Sequence, residues 1–206
     1  GVIEELMAYK VPFVCVIGAR DLPGVSCADV SFLESGYIAV NHLAEKGYKN
    51  IAYILFDDLD NLVYAEKERY EGCLKAALNH GIKLSTVRPF TLSSDEEACI
   101  KEIINFLKVH EYDAFVSTSY VCFLLLKAAV RAGISVPDSV GVISLDNELF
   151  APYLYPSLTT VDEPLYDIAV RAVNILLEKI EGDTSCHKLE LTPYLTVRES
   201  TARNNG

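Results

Sequence analysis

The sequence has no tryptophan, a single methionine and no cysteine pair spaced Cys-X-X-Cys. Its 18 basic residues are outnumbered by 29 acidic ones, a formal net charge of −11. Each shortage excludes something. A surface that acidic repels phosphate backbones, so this segment by itself is a poor nucleic-acid binder. Without tryptophan, stacking on the flat face of any ligand falls to tyrosine or phenylalanine. Tyr120 and Phe150 are the nearest candidates, although packing is the more ordinary role for both. Cys15, Cys27, Cys73, Cys99, Cys122 and Cys186 are scattered, mostly within apolar stretches. That pattern reads as small core residues in a reducing compartment. Cys186-His187 is the one Cys/His adjacency and lies in a polar loop, so no metal site is expected. No apolar run reaches the ~18 residues of a membrane span. Glu4 and Glu5 stand where a secretory signal needs positive charge and then an apolar run. The expected location is the cytoplasm, with no membrane partner.

What is present is the composition of a folded domain: 50% apolar and 23% charged residues over 206 positions, enough for a sizeable core. Short apolar runs alternate with longer segments of helical period. VPFVCVIG (11–18), IAYIL (51–55), DAFVSTS (113–119), VGVISLD (140–146) and PSLTTV (156–161) read as strands. Their largely continuous apolar character suits strands covered on both faces. Helical spacing runs through 35–47, 62–80, 120–133 and 165–182, the first two stopping at Gly47 and before Gly81. Ser94-Asp95-Glu96-Glu97 reads as a capping box, with Ile100, Ile103, Ile104 and Leu107 following on one face. Strand-like alternation in KLELTPYLTVRES closes the chain before a frayed tail. Strand–helix alternation of this kind predicts an α/β fold, with parallel sheets flanked by helices.

Catalytic signatures are missing. No Gly-X-Gly-X-X-Gly follows a strand, and there is no P-loop, no Gly-X-Ser-X-Gly elbow and no His-Glu-X-X-His. His42, His80, His110 and His187 lie in or after helices without an obvious acidic partner, and read as solvated. Asp57-Asp58 and Glu96-Glu97 read as solvated loop and first-turn charges. Neither an enzyme nor a cofactor is expected. In an open parallel sheet, ligands sit outside the carboxyl ends of the strands. Thr118 and Ser119 follow one strand, Asp146 and Asn147 follow another, and Arg69 lies in the helix after 51–55. Polar groups converging there describe a site for a small polar molecule.

At these residues the chain resembles a known family. HLAEKGYKNIAYIL (42–55), ERYEGCLKAALNHGI (68–82), the ungapped block VPDSVGVISLDNELFAPYLYPSLTTVDEPLYDIAVRAVNILLEKIEG (136–182) and LTVRES (195–200) resemble, in order, segments of the lactose-repressor (LacI/GalR-type) transcription regulators. The resemblance implies the effector-sensing and dimerisation domain of a DNA-binding regulator, with a small, sugar-like ligand in a cleft between two α/β subdomains. Residues 1–33 and 158–182 would belong to a partial N-terminal subdomain, 34–157 to the C-terminal one, and 183–206 to closing strands and tail. The family's opening units and its helix-turn-helix head have no counterpart in the sequence, so DNA contact is expected only through such a head. The incomplete sheet is expected to leave apolar surface exposed.

The resemblance also assigns residues. Arg69 matches an arginine that reaches sugar hydroxyls, and Asp146 the first acid of an Asp-Asp pair. Thr118 and Ser119 stand in place of an Asn-Asp pair, Asn147 in place of the second acid, and Phe32-Leu33 in place of an acidic pair. Ser31 and Glu163 match positions near the cleft edge. A pocket this poor in acids suits a plain hexose less well, which leaves a modified sugar, an anionic metabolite or no ligand of the usual kind. Helix 120–132 is apolar around most of its circumference, and the family uses it in a homodimer interface. That implies Val121, Leu124 and Leu125 as interface residues. A secreted or lipid-anchored sugar-binding protein serving a transporter is the alternative.

Overall fold

The computed structural model describes residues 1–55, 62–91, 95–109 and 111–203. Asp57-Asp58, Ser94 and His110 lie outside the described residues. In chain order the first elements are α1 (Val2–Ala8), β1 (Cys15–Val16), β2 (Cys27–Val30), α2 (Phe32–Glu45), β3 (Asn50–Ile54), α3 (Tyr64–His80), β4 (Lys83–Val87) and α4 (Glu96–Leu107). There follow β5 (Ala114–Ser117), α5 (Ser119–Ala132), β6 (Gly141–Ser144), β7 (Thr159–Asp162), α6 (Leu165–Ile180), β8 (Lys188–Leu191) and β9 (Tyr194–Thr196). Short 3₁₀ turns occupy Ala151–Tyr153 and Glu199–Thr201. No helix among the described residues is long and apolar enough to cross a membrane.

The chain divides into two units, Gly1–Ser31 with Glu163–Pro193 and Phe32–Asp162 with Tyr194–Gly206. The boundaries differ from those expected. β7 stays with the larger unit because it pairs in parallel with β6, and the closing strands separate because β8 pairs with β2 whereas β9 pairs with β7.

In the smaller unit, β1, β2 and β8 form a parallel sheet in that order. The apolar run 11–18 yields only two strand residues. Ile17 and Gly18 take φ of 63° and 82°, which ends the strand and lets the Gly18 N–H donate to Asp29 Oδ2 at 3.1 Å. α6 buries Ile168, Ala172 and Ile175, while Tyr166, Val170, Val173, Leu177 and Ile180 form an exposed apolar stripe.

The larger unit has a six-stranded sheet in the order β4-β3-β5-β6-β7-β9, parallel except for β9. Alternation sorts its side chains. Ile51, Tyr53, Ala114, Val116 and Ile143 pack under α2 and α3, whereas Ala52, Ile54, Phe115 and Val142 pack under α4 and α5. With both faces covered, the strands read as unbroken apolar runs. β4 is an edge strand of mixed character, KLSTV, which periodicity does not announce. α4 is capped by Asp95, whose carboxylate accepts from the Ala98 N–H at 3.1 Å. Its first-turn acids are not merely solvated: Glu96 pairs with Lys127, and Glu97 pairs with both Arg131 terminal nitrogens at 2.7 and 2.9 Å. These exposed pairs bring little stability.

α2 and α3 cross at backbone contact. A Cβ on Gly36 would lie 1.8 Å from the Arg69 carbonyl oxygen, and one on Gly72 would lie 1.9 Å from that of Leu33. Only two glycines facing each other permit this approach.

The LTTV and VRES segments, far apart in sequence, are bonded to each other. Glu199 accepts from the Ser157 N–H and Oγ at 2.8 and 2.9 Å. Ser200 Oγ donates to the Val142 carbonyl at 2.6 Å and accepts from the Thr159 N–H at 2.8 Å. Thr201 Oγ1 lies 2.8 Å from both Thr159 Oγ1 and His42 Nε2. His42 is therefore buried, not solvated. Burial first and Lys46 second depress its pKa, with Glu45 opposing. The folded state favours the neutral ring, so this contribution is whole above the unfolded imidazole value of about 6.5 and is lost as pH falls toward the lowered folded value. Below pH of about 6.5, stability should fall with a slope of up to about 1.4 kcal/mol per pH unit from this residue alone. Urea unfolding at successive pH values should show a shallower acid loss in His42→Gln than in the parent; equal losses would show that His42 is not responsible.

Candidate functional site

In a doubly wound sheet the ligand crevice opens outside the carboxyl ends of the strands, where strand order reverses. In the larger unit that reversal lies at β3 and β5, because β4 joins one side of β3 and β5 the other. α3 follows β3 and carries Arg69 in its second turn. Thr118 and Ser119 open α5 directly after β5, and β6 runs out into Asp146 and Asn147.

Arg69 is half-buried, its Cζ 4.9 Å from the centroid of the Phe32 ring. This is a cation–π contact. The Gly36–Gly72 crossing sets it up by bringing the first turn of α2 against the second turn of α3. Where an acid was expected from the resemblance, the guanidinium meets an aromatic face. Below it the Tyr53 hydroxyl donates to Glu66 Oε1 at 2.9 Å. Burial, reinforced by Glu66, pushes the Tyr53 pKa well up, while Arg69 opposes that shift.

Asp146 Oδ1 accepts from the Ser119 N–H and from Ser144 Oγ, both at 2.6 Å. Ser119 Oγ lies 2.9 Å from the Asp146 carbonyl oxygen and from Ser144 Oγ. The carboxylate thus caps the N-terminus of α5, where its charge meets the positive end of the helix dipole. Oδ2 takes no part in these bonds, and the residue is half-buried. Ser119 is fully buried and committed to this bracing. Thr118 is half-buried and its side chain makes no capping bond. Asn147 is exposed, and its Nδ2 donates to Asp162 Oδ2 at 2.9 Å. Asp162 also accepts from Thr160 Oγ1, and from Thr196 Oγ1 at 2.8 Å. This buried carboxylate is satisfied by three neutral donors.

Thr118, Ser119, Asp146 and Asn147 therefore come together at the adjoining ends of β5 and β6, and Arg69 stands at the same sheet edge beyond β3. Ser31 and Glu163 belong to the smaller unit. There the Ser31 N–H donates to the Leu191 carbonyl at 3.0 Å, and the Glu163 carbonyl accepts from the Leu165 N–H at 2.8 Å. Sequence reading passed over Ser144 and Asp162. Ser144 stands two residues before Asp146, and Asp162 directly follows the LTTV run.

Two expectations need correction. Val121, Leu124 and Leu125 are at most 1% exposed and belong to the core between α5, the sheet and α4. They cannot meet a partner chain, because their own chain already covers the apolar circumference of α5. The exposed residues of the helix are Tyr120, Val130 and Arg131, and Tyr120 joins Phe123 and Phe150 in a run of ring contacts at 6.3 and 6.0 Å. His187 does have acidic partners, Asp183 at 2.6 Å and Glu178 at 3.8 Å, because the turn after α6 brings the three together.

The profile of the periplasmic binding protein-like domain matches residues 40–201. The HTH-type transcriptional repressor PurR of Actinobacillus pleuropneumoniae serotype 3 (strain JL03) is 30% identical over 209 residues, which cover 98% of this chain and 61% of that protein. The arabinose metabolism transcriptional repressor of Geobacillus stearothermophilus is 29% identical over 213 residues, covering 98% and 56%. The chain thus spans about three fifths of the length of such relatives. Among solved structures, a LacI family transcriptional regulator from Enterococcus faecium with bound ribose superposes with a TM-score of 0.83 at 22% identity, covering 98% of this chain and 74% of that one. These relatives are transcription regulators rather than enzymes. The chain belongs to the periplasmic binding protein-like domain family, and its relatives within that family are LacI/PurR-type transcription regulators.

Proposed function

We propose that the chain is the ligand-sensing and dimerising part of a cytoplasmic transcription regulator, without catalytic activity, and that its ligand is a small polyhydroxylated molecule of the sugar class. The observation that carries this reading is the polar rim at the strand-order reversal of the larger unit. Arg69 supplies several donors on one planar group, Asp146 Oδ2 accepts a hydroxyl, and Thr118 can do either. The ribose bound to the Enterococcus faecium neighbour supports the sugar class. The named roles of the relatives favour a regulator over a transporter's binding protein. The net charge of −11 supports leaving DNA contact to the part of a regulator's length that this chain does not span. A ligand would alter DNA affinity only by binding two conformations of the regulator unequally.

A second copy of the chain is the proposed partner on the outer face of α5. Val130, Tyr153 and Tyr155 are 60%, 86% and 85% exposed there. Two adjoining hollows of about 490 and 370 Å³ share Leu126, Val130 and Tyr155. An exposed aromatic surface of this kind marks an association face.

Arg69→Ala tests the ligand assignment. Losing a charge-assisted bond costs roughly 1.5–3 kcal/mol, so sugar affinity should fall about ten- to a hundredfold by calorimetry. Circular dichroism and the unfolding midpoint check that the variant folds. Unchanged affinity would remove Arg69 from the site.

A further inference from the structure

We propose that Glu178, Asp183 and His187, in the smaller unit, form a binding site for a divalent first-row transition metal ion, with Zn²⁺ as the fitting probe. One imidazole nitrogen and two carboxylate oxygens lie within 4.8 Å of one another. The chain holds them there by local geometry. Gly182 takes φ of 108° just past α6, and the Asp183 N–H donates to the Glu178 carbonyl at 2.9 Å. Asp183 Oδ1 is fixed by the Ser185 N–H at 3.0 Å and by Ser185 Oγ, which leaves Oδ2 turned to His187. His187 is pinned through its backbone: its N–H donates to Ser26 Oγ at 3.0 Å, and its carbonyl accepts from the Cys27 N–H at 2.8 Å. Bracing of donors by outer hydrogen bonds is what an oriented metal site requires.

Charge points the same way. Glu178 and Glu181 occupy the end of α6, where the helix dipole disfavours anions, and Asp183 adds a third acid beside them. The basic residue of the last turn, Lys179, directs its Nζ to the Ser185 carbonyl at 2.8 Å. A cation among these acids relieves their mutual repulsion and the unfavourable end of the helix dipole. The Cys186 thiol is turned toward the Val25 carbonyl at 3.4 Å, so the donor set is nitrogen and oxygen. Such a set suits Zn²⁺ and its neighbours and does not select Cu(I).

The distances fit. Zinc donors at about 2.0–2.2 Å in tetrahedral geometry lie about 3.4 Å from one another. The 2.6 Å Asp183–His187 pair would open and the 3.8 Å Glu178–His187 pair would close, each by less than about 1 Å. Water would complete the coordination. A bound ion would join the end of α6 to the start of β8.

Calorimetric titration of the EDTA-stripped, dialysed chain with zinc chloride tests the site, alongside His187→Ala and Glu178→Gln. Neither side chain belongs to the core, so both variants should fold; circular dichroism checks this. One equivalent of zinc should bind the parent at about micromolar Kd and raise its melting temperature. Each variant should bind about tenfold or more weakly and lose that rise. No binding by the parent at about 1 mM zinc, or unchanged binding in either variant, would overturn the proposal.

Discussion

Replacing Gly36 or Gly72 by alanine is expected to destabilise the chain by about 3 kcal/mol or more, enough to prevent soluble accumulation. The added methyl would stand 1.8–1.9 Å from a carbonyl oxygen of the facing helix. No rotamer relieves a clash with backbone, so α2 and α3 must separate along their whole contact. Ala39, Val40, Cys73 and Ala76 then lose their packing together, and the Arg69–Phe32 stack at the site goes with them. Gly133→Ala is the control. Its Cβ would meet nothing within 4 Å, so only the left-handed backbone at φ +69 opposes it, a cost of about 1 kcal/mol. Denaturant midpoints for the three variants measure the difference; a similar small loss in all three would show that the crossing is soft.

A comparable effect is expected at Leu124, fully buried between α5 and the sheet. Leu124→Ala should cost about 2–5 kcal/mol through the cavity it leaves, and Leu124→Glu should unfold the chain. Val130→Glu, six residues further along the helix on its exposed side, should change stability by no more than about 0.5 kcal/mol. It should instead lower the association state seen by sedimentation. If Val130→Glu sediments as the parent does, the partner copy does not sit on this face.

The two helices show why apolar pattern speaks for some contacts and not for others. Both α5 and α6 carry apolar residues around most of their circumference. In α5 the chain's own α4 and sheet cover nearly all of it, so the count of apolar residues says nothing about a partner. In α6 only Ile168, Ala172 and Ile175 are covered, and the stripe from Tyr166 to Ile180 is exposed. A sequence gives the width of an apolar surface; which neighbour covers it is a tertiary fact. Strand runs with both faces apolar were legible for the same reason that edge strand β4 was not. The larger sheet's core strands are covered on two sides, whereas in KLSTV no residue is fully buried and Lys83 and Thr86 are exposed.

At the site, positions were legible and bonding was not. Topology places Thr118, Ser119, Asp146 and Asn147 at carboxyl strand ends, and that follows from strand–helix alternation alone. Nothing in the residue order shows that Asp146 braces Ser119 across 27 positions, or that His42 reaches Thr201 across 159. The same holds for Asp162, whose donors come from β7, β9 and the loop after β6. Polar pairs distant in sequence carry no periodic signature.

Titrating the isotopically labelled chain with pentoses and hexoses, and following amide and arginine side-chain resonances, tests the ligand site most directly. Saturable shifts are expected at the amides of Thr118, Ser119, Asp146 and Asn147 and at the Arg69 guanidinium, for at least one sugar. Saturable shifts confined to other surfaces, such as the hollows beside Tyr155, or no saturable shift with any sugar, would contradict a sugar-sensing site at the strand-order reversal.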